Sequence, residues 1–472
     1  MKSPASIVFP IKLSFFLCIF ALYPASAGAQ TAAEPERSQL LNGLRIVLLT
    51  RPGQQDVLLK LRIHSGSAFD LAGKAGSAAL LGDILFPDPN TREYFTEEMQ
   101  GRLNVATDYD SITVTMVGRA SDFERIIEIL RTAMVTPQLT PENFAKVRDG
   151  RIKVTRDTSI SPTMLADRAI AARLFGDFPY GRPANGTVES LERVERSDLV
   201  LARDRFLNPN NATLVIVGGV QSGRVMRTLR QLLGGWRKSE QIVPATFRQP
   251  APPDPRTLVI NAPSDQSVDV RLAVRGLGRK DSDSLAADLL AVVFRQRLEK
   301  AIVELARSPV FVRHDAYVLP GMFVIGATVE HLLAGKFLND SREVMAALAS
   351  SPVATGELEQ AKTELLSLRN KELTTSDGLA EAWLDVDTYG TATASEQTRA
   401  INSLTSADVQ RVANRLFHDA KVASIVVGNS TLIKTSAERY TKLELIGEVE
   451  PEPKNPGTPS EKSHTKPGSK PD

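Results

Sequence analysis

A single cysteine, five histidines and two tryptophans in 472 residues are what this sequence has least of. Cys18 lies inside an apolar stretch near the N-terminus, so the chain without that stretch has no thiol. A structural disulfide, a cysteine nucleophile and a thiolate-bound metal are thereby excluded. The histidines stand at 64, 314, 331, 418 and 464, and no two are four residues apart. That spacing excludes a pair of imidazoles on one helix face gripping a metal ion. Charge of one sign is missing too: 57 basic residues face 55 acidic ones, for a net +2. Neither a nucleic-acid footprint nor a basic membrane-binding face is expected from that balance. No phosphate-loop pattern follows a strand, and no G-x-S-x-G elbow supplies His314 and Asp315 with a serine. After the first 30 residues no run of 18 apolar residues occurs, so no membrane span is expected in the mature chain.

What is present is the composition of a globular protein, 42% apolar and 24% charged, in a chain long enough for two or more domains. Lys2 and Lys12, the apolar run Leu13 to Tyr23 and the small residues Ala27-Gly28-Ala29 have the form of a secretory signal over 1–29. Cleavage is expected after Ala29, with an uncleaved anchor as the alternative, and the mature protein is expected to be periplasmic or secreted. A polar leader (30–38) precedes a first domain (39–247). A proline-dense linker (248–256) then leads to a second domain (257–447). The last residues (448–472) are rich in proline and lysine and are expected to be disordered.

Both domains read in the same order, strand–strand–helix–strand–helix followed by long helices and a closing strand. The closing segments correspond: NPNNATLVIVGGV at 208–220 and HDAKVASIVVGNS at 418–430. Two matched halves of about 200 residues indicate internal duplication. Each half reads as an α+β unit with helices on one face of a sheet.

Several segments, taken in order, resemble one family. They are LNGLRIVLL at 41–49, a strand ending HSGSAFD before GKAG and an apolar helix, and FPYGRPANGTVESLERV at 178–194. NPNNATLVIVGGV and SLTSADVQRVANRLF (403–417) before IVVGN complete the set. The chain is similar over residues 38 to 445 to the pitrilysin/insulinase-type zinc peptidases, with Phe178 where that family commonly has histidine. The resemblance implies a two-half α+β fold like that of pitrilysin and the mitochondrial processing peptidase. Each half would be an antiparallel-type sheet with helices packed on it, in a clamshell arrangement.

The same resemblance locates what is missing. The family's H-x-x-E-H motif binds zinc through two histidines, and its glutamate activates the bound water. Aligning GKAG and Leu85-Phe86 puts that motif on Ala79-Leu80-Leu81-Gly82-Asp83. Ala79 and Asp83 then replace the histidines, and Gly82 replaces the base. Asp83 is read as a solvated or capping helix residue rather than a cation ligand. The expected third ligand, a glutamate, is absent from 150–160 (GRIKVTRDTSI). Zinc-free members of two-chain relatives supply an arginine and a tyrosine from their second half, and these align with Val303 and Val310. Tyr317 lies near but out of register and is read as a strand residue.

No catalytic residue, metal or cofactor is therefore expected. The reading is a catalytically inactive peptidase-like subunit that pairs with a homologue carrying H-x-x-E-H, and that itself holds peptides in the shared chamber. The alternative is a stand-alone cell-envelope protein for peptide binding or assembly. A third possibility, peptidase activity through other residues, would need stoichiometric zinc.

Overall fold

In the computed structural model, residues 34–158, 161–240, 247–262, 267–302 and 308–446 are described. The expected signal, the tail 448–472 and Val303 lie outside them. The first half contains β1 (Glu36–Gln39), β2 (Arg45–Thr50), β3 (Asp56–Ile63), α1 (Ser77–Asp83) and α2 (Pro89–Glu97). There follow β4 (Arg102–Thr107), β5 (Ile112–Arg119), α3 (Phe123–Val135), α4 (Pro141–Asp157) and α5 (Pro162–Phe175). It closes with α6 (Val188–Glu192), α7 (Arg196–Phe206), β6 (Ala212–Gly218) and α8 (Ser222–Leu233). The second half runs through β7 (Thr257–Asn261), β8 (Ser267–Arg275), α9 (Ser284–Ala301), β9 (Phe311–Asp315) and β10 (Met322–Glu330). Then come α10 (Ala334–Ser350), α11 (Thr355–Leu373), α12 (Ser376–Tyr389), α13 (Ala394–Ser403) and α14 (Ser406–Phe417). The last elements are β11 (Ala423–Gly428), α15 (Ser430–Ala437) and β12 (Leu443–Ile446).

The two halves build sheets of one plan, in the orders β1-β2-β6-β3-β5-β4 and β12-β7-β11-β8-β10-β9. Most pairs are antiparallel, whereas β2 lies parallel to β6, and β7 lies parallel to both β11 and β12. Residues 36–38, read from sequence as leader, belong to edge strand β1, which pairs Glu36 with Leu48 and Gln39 with Arg45. Polar side chains do not prevent this, because all four β1 residues face solvent and pairing needs only backbone.

Each half has its own core between its sheet and its helices, from Leu40 to Trp236 in one and from Val259 to Ala437 in the other. The opposite face of each sheet is covered as well, by a helix from the other half. Leu379, Ala380 and Leu384 of α12 pack on Val47, Leu58, Val215 and Val217 of the first sheet. Ala166, Ile170 and Leu174 of α5 pack on Ala273, Val324, Ile425 and Val427 of the second. Helices on one face only, as read from sequence, is thus corrected: the halves exchange helices. Burial on both faces explains why β6 and β11 are almost wholly apolar, with only Thr213 and Ser424 polar, and are buried along their whole length.

The exchanged helices are fixed by charge. Lys60 of β3 reaches Glu381 at 2.8 Å and Asp377 at 3.0 Å, and Arg62 pairs with Glu381 and with Asp385 at 2.6 Å. In the second half Arg271 of β8 reaches Asp167 of α5 at 2.8 Å. Alternate strand residues share a sheet face, and helix residues four apart share a helix face. Lys60 and Arg62 therefore meet Asp377, Glu381 and Asp385. Leu165-Ala166-Asp167 and Leu379-Ala380-Glu381 occupy matching places on the two borrowed helices.

Candidate functional site

Helix α1 starts where the chain turns at Gly76, whose φ of +94° suits glycine. An added Cβ there would lie 2.8 Å from Leu191 Cδ2 and 3.0 Å from the Asn185 carbonyl. The buried Asp70 carboxylate accepts from the backbone N–H groups of Gly76 (2.7 Å) and Ala78 (2.8 Å), satisfying donors that the first helical turn leaves open. Burial pushes the Asp70 carboxyl up to about 7 against those hydrogen bonds. The helix is buried from Ser77 to Gly82 and lies against α4, α7, β4 and β5.

The positions aligned with the family's motif lie on this helix. Ala79 is 1% exposed and presents a methyl group. A Cβ on Gly82 would lie 3.1 Å from both Thr107 Oγ1 and Val105 Cγ1 and 3.4 Å from Ile112 Cγ2, so the strands approach too closely for a side chain without adjustment. Asp83 is partly exposed, as a solvated residue would be, but its carboxylate is paired: Oδ2 accepts from Nε of Arg151 at 2.6 Å. Arg151, from the stretch 150–160 searched for a third ligand, also donates to Asn185 Oδ1 at 3.3 Å. The guanidinium thus joins α1, α4 and the loop before α6. A methyl, a hydrogen and a carboxylate already paired with a guanidinium do not fit a zinc ion. Among the described residues, no group of three His, Cys, Asp or Glu side chains converges as a metal site would require.

Arg151 carried no signal in the sequence, because its role depends on which turn of α4 faces α1. The other positions are equally plain. Val310 is 5% exposed, inside the second core. Tyr317 falls two residues past β9, in an isolated bridge with Gly278. Its ring packs on Tyr180 (centroids 4.6 Å apart) and edge-on against Tyr109 (5.1 Å), and burial pushes its hydroxyl above the ordinary tyrosine range. Tyr180 in turn donates to Asp110 Oδ1 at 3.2 Å, and Asp110 Oδ2 accepts from the Val318 N–H at 2.9 Å. Asp110 sits in the β4–β5 turn and Val318 beyond β9, so this polar knot fastens the halves. Burial raises the Asp110 carboxyl to about 6.

His64 and His314 are held in local networks. Burial, then the nearby Arg45 and Arg62 charges, lowers His64 to about 3; its Nδ1 accepts from Arg45 at 3.0 Å, and Thr213 Oγ1 lies 3.0 Å from its Nε2. His314 has a fully buried side chain. Its Nδ1 is 2.9 Å from Asp288, and its Nε2 accepts from the Leu277 N–H at 3.1 Å.

Two duplicated α+β units with exchanged helices define the architecture, and solved structures share it. A protease from Helicobacter pylori aligns with a TM-score of 0.75 at 17% identity, over 84% of this chain and 99% of that one. A peptidase M16 inactive domain structure from Pseudomonas fluorescens aligns at 0.73 and 17%, over 84% and 98%. A chain of Complex III2 from Candida albicans aligns at 0.71 and 15%, over 84% and 96%. In sequence, residues 45–187 match the profile "Insulinase (Peptidase family M16)" and residues 193–365 match "Peptidase M16 inactive domain". A Rickettsia bellii protein described as an uncharacterized zinc protease is 21% identical over 413 residues, 83% of this chain and 97% of that protein. Human cytochrome b-c1 complex subunit 1 is 22% identical over 222 residues, 46% of each chain. The chain belongs to the pitrilysin/insulinase family, peptidase family M16.

Proposed function

We propose that this chain is a non-catalytic, exported member of its family, working as the structural half of a peptide-processing assembly whose other half is a homologue with an intact H-x-x-E-H. The observation that carries the reading is the Asp83–Arg151 pair, at 2.6 Å, on the helix that aligns with the zinc motif. A fixed guanidinium opposes a divalent cation there by like charge, and Ala79 and Gly82 offer neither ligand nor base. Likeness to a subunit of the cytochrome b-c1 complex supports a role inside an assembly. Retention of both sheets and both exchanged helices is what a partner-binding scaffold requires. The zinc-protease description belongs to relatives that this chain matches at low identity.

Affinity isolation of the tagged full chain from its native cells, with mass spectrometry of what co-purifies, tests the pairing. A homologue bearing H-x-x-E-H at near one-to-one is the expected result. Purification alone, or stoichiometric zinc with zinc-dependent cleavage by the isolated chain, would sink the proposal. Export is checked separately, by sequencing the N-terminus of the mature protein, with Gln30 expected first.

A further inference from the structure

Beside α1, on the side facing α7, an apolar cavity of about 130 Å³ lies between Phe69, Leu71, Leu81, Ile112, Leu201 and Phe206. Its wall is aromatic, with the rings of Phe69 and Phe206 5.0 Å apart. Apolar cavities of about 150 Å³ take a benzene-sized guest and stay dry without one. This socket accordingly has room for one branched or aromatic side chain. Two of its lining residues, Leu71 and Leu201, are 57% and 66% exposed, so the rim of the socket is open to solvent.

The socket adjoins a larger cleft of about 1180 Å³, with which it shares Phe69, Asp70, Leu71 and Arg205. The cleft continues past Phe178 and Phe247 along the linker prolines Pro250, Pro252 and Pro253. Charge around the socket is unbalanced. Asp198 is held by Lys74 at 2.7 Å, and Asp70 is occupied by the α1 backbone. Arg205 is exposed and lies over the Phe206 ring at 5.0 Å, with no carboxylate at pairing distance among the described residues. Arg182 donates to the carbonyls of Asp70 (3.1 Å) and Leu71 (3.5 Å) and forms no ion pair among the described residues, although its charge favours the ionised form of the Asp70 carboxyl.

We propose that the socket and these two arginines bind the C-terminal end of a peptide whose last residue is large and apolar. The side chain fills the socket, the α-carboxylate meets the guanidinium of Arg205 or Arg182, and the preceding residues run along the aromatic and proline-lined cleft. Charge complementarity selects the carboxylate, since a planar guanidinium pairs with it bidentately. A free fatty acid shares the chemistry of an apolar group beside a carboxylate. The socket has room for only a few of its carbons, whereas the length of the cleft suits an extended peptide. This site is separate from the Asp83–Arg151 pair and does not depend on how the chain pairs with a homologue.

Fluorescence anisotropy of the mature full chain with a labelled hexapeptide ending in leucine tests it, alongside its C-terminal amide, its lysine-ended counterpart and octanoate as competitors. The acid should bind at least tenfold more tightly than the amide and the lysine-ended peptide. Arg205→Ala and Leu201→Asp, both at exposed positions, should each weaken binding at least tenfold while the melting temperature stays within a degree or two. No binding up to millimolar peptide, equal binding of acid and amide, indifference to Arg205→Ala, or tighter competition by octanoate than by unlabelled peptide would each overturn the assignment.

Discussion

At Gly82 the absence of a side chain is a packing requirement, because Thr107 and Val105 already stand 3.1 Å from where a Cβ would go. Gly82→Glu should therefore lower stability by about 2 kcal/mol or more, through overpacking and a carboxylate forced between strands and helix. Chemical denaturation measures this. Placed in the triple variant with Ala79→His and Asp83→His, it should give a less stable chain that still binds no stoichiometric zinc, because Arg151 remains. Arg151→Ala alone breaks a partly exposed pair and should cost about 1 kcal/mol. In a double-mutant cycle with Asp83→Ala the two losses should be clearly less than additive.

Asp110 provides a second test, through pH. Its folded value of about 6 lies above the ordinary carboxylate value because burial disfavours the ionised form. The folded state therefore binds this proton more tightly than the unfolded chain. Stability from Asp110 is greatest below about pH 4 and falls as pH rises to about 6. Asp70, at about 7, acts in the same direction. Asp281 and Asp283, lowered by hydrogen bonds to Arg415 and Arg411, act oppositely in more acidic solution. The difference between wild type and Asp110→Asn isolates one group. Across pH 4 to 7, unfolding free energies should fall less steeply in the variant, by on the order of 2 kcal/mol in total. Parallel profiles would show that Asp110 does not titrate in that window.

Among the elements, α12 is where covalent order and spatial order part. It belongs to the second half by sequence and to the first sheet by packing, held by Lys60 and Arg62 against Asp377, Glu381 and Asp385. Glu381→Ala removes the carboxylate that both cations share and leaves Arg62, whose side chain is 3% exposed, with Asp385 alone. Because Glu381 is itself 45% exposed, the expected loss is about 2 kcal/mol rather than the larger cost of breaking a fully buried pair. Thermal denaturation checks it, and Glu381→Gln should recover part of the loss. The duplication was legible in the matched closing strands β6 and β11, whose apolar runs are long enough to read. Strands β4 and β12 and helices α2, α13 and α15 were not read from the sequence, and of β9 only His314 and Asp315 were read as strand. They are short and half exposed, and their pairing is settled by neighbours rather than by periodicity.

For the whole molecule, exchange of helices makes the two halves interdependent. A fragment ending at the linker would carry α5 without the sheet it covers, and would bare the apolar face of its own sheet that α12 buries. Residues 35–247 and 257–446 expressed apart should be insoluble or molten, and expressed together should assemble into a soluble one-to-one complex. The intact chain should unfold in one cooperative transition by circular dichroism and intrinsic fluorescence. Two separated transitions would show that the halves are autonomous.

The order of the longer elements, the doubling of the chain, the family and the lack of any histidine pair were determined by sequence alone. They rest on local periodicity, on matched segments and on which residue types are present at all. Only the tertiary structure decided that α5 and α12 change places, that Arg151 holds Asp83, that Asp110 fastens the halves, and that an apolar socket lies beside two unpaired arginines. Each of these depends on contacts between residues far apart in the chain, such as 68 positions for Asp83 and Arg151 and 321 for Lys60 and Glu381. No local pattern encodes such pairings, because they arise from how two sheets and their borrowed helices come together in space.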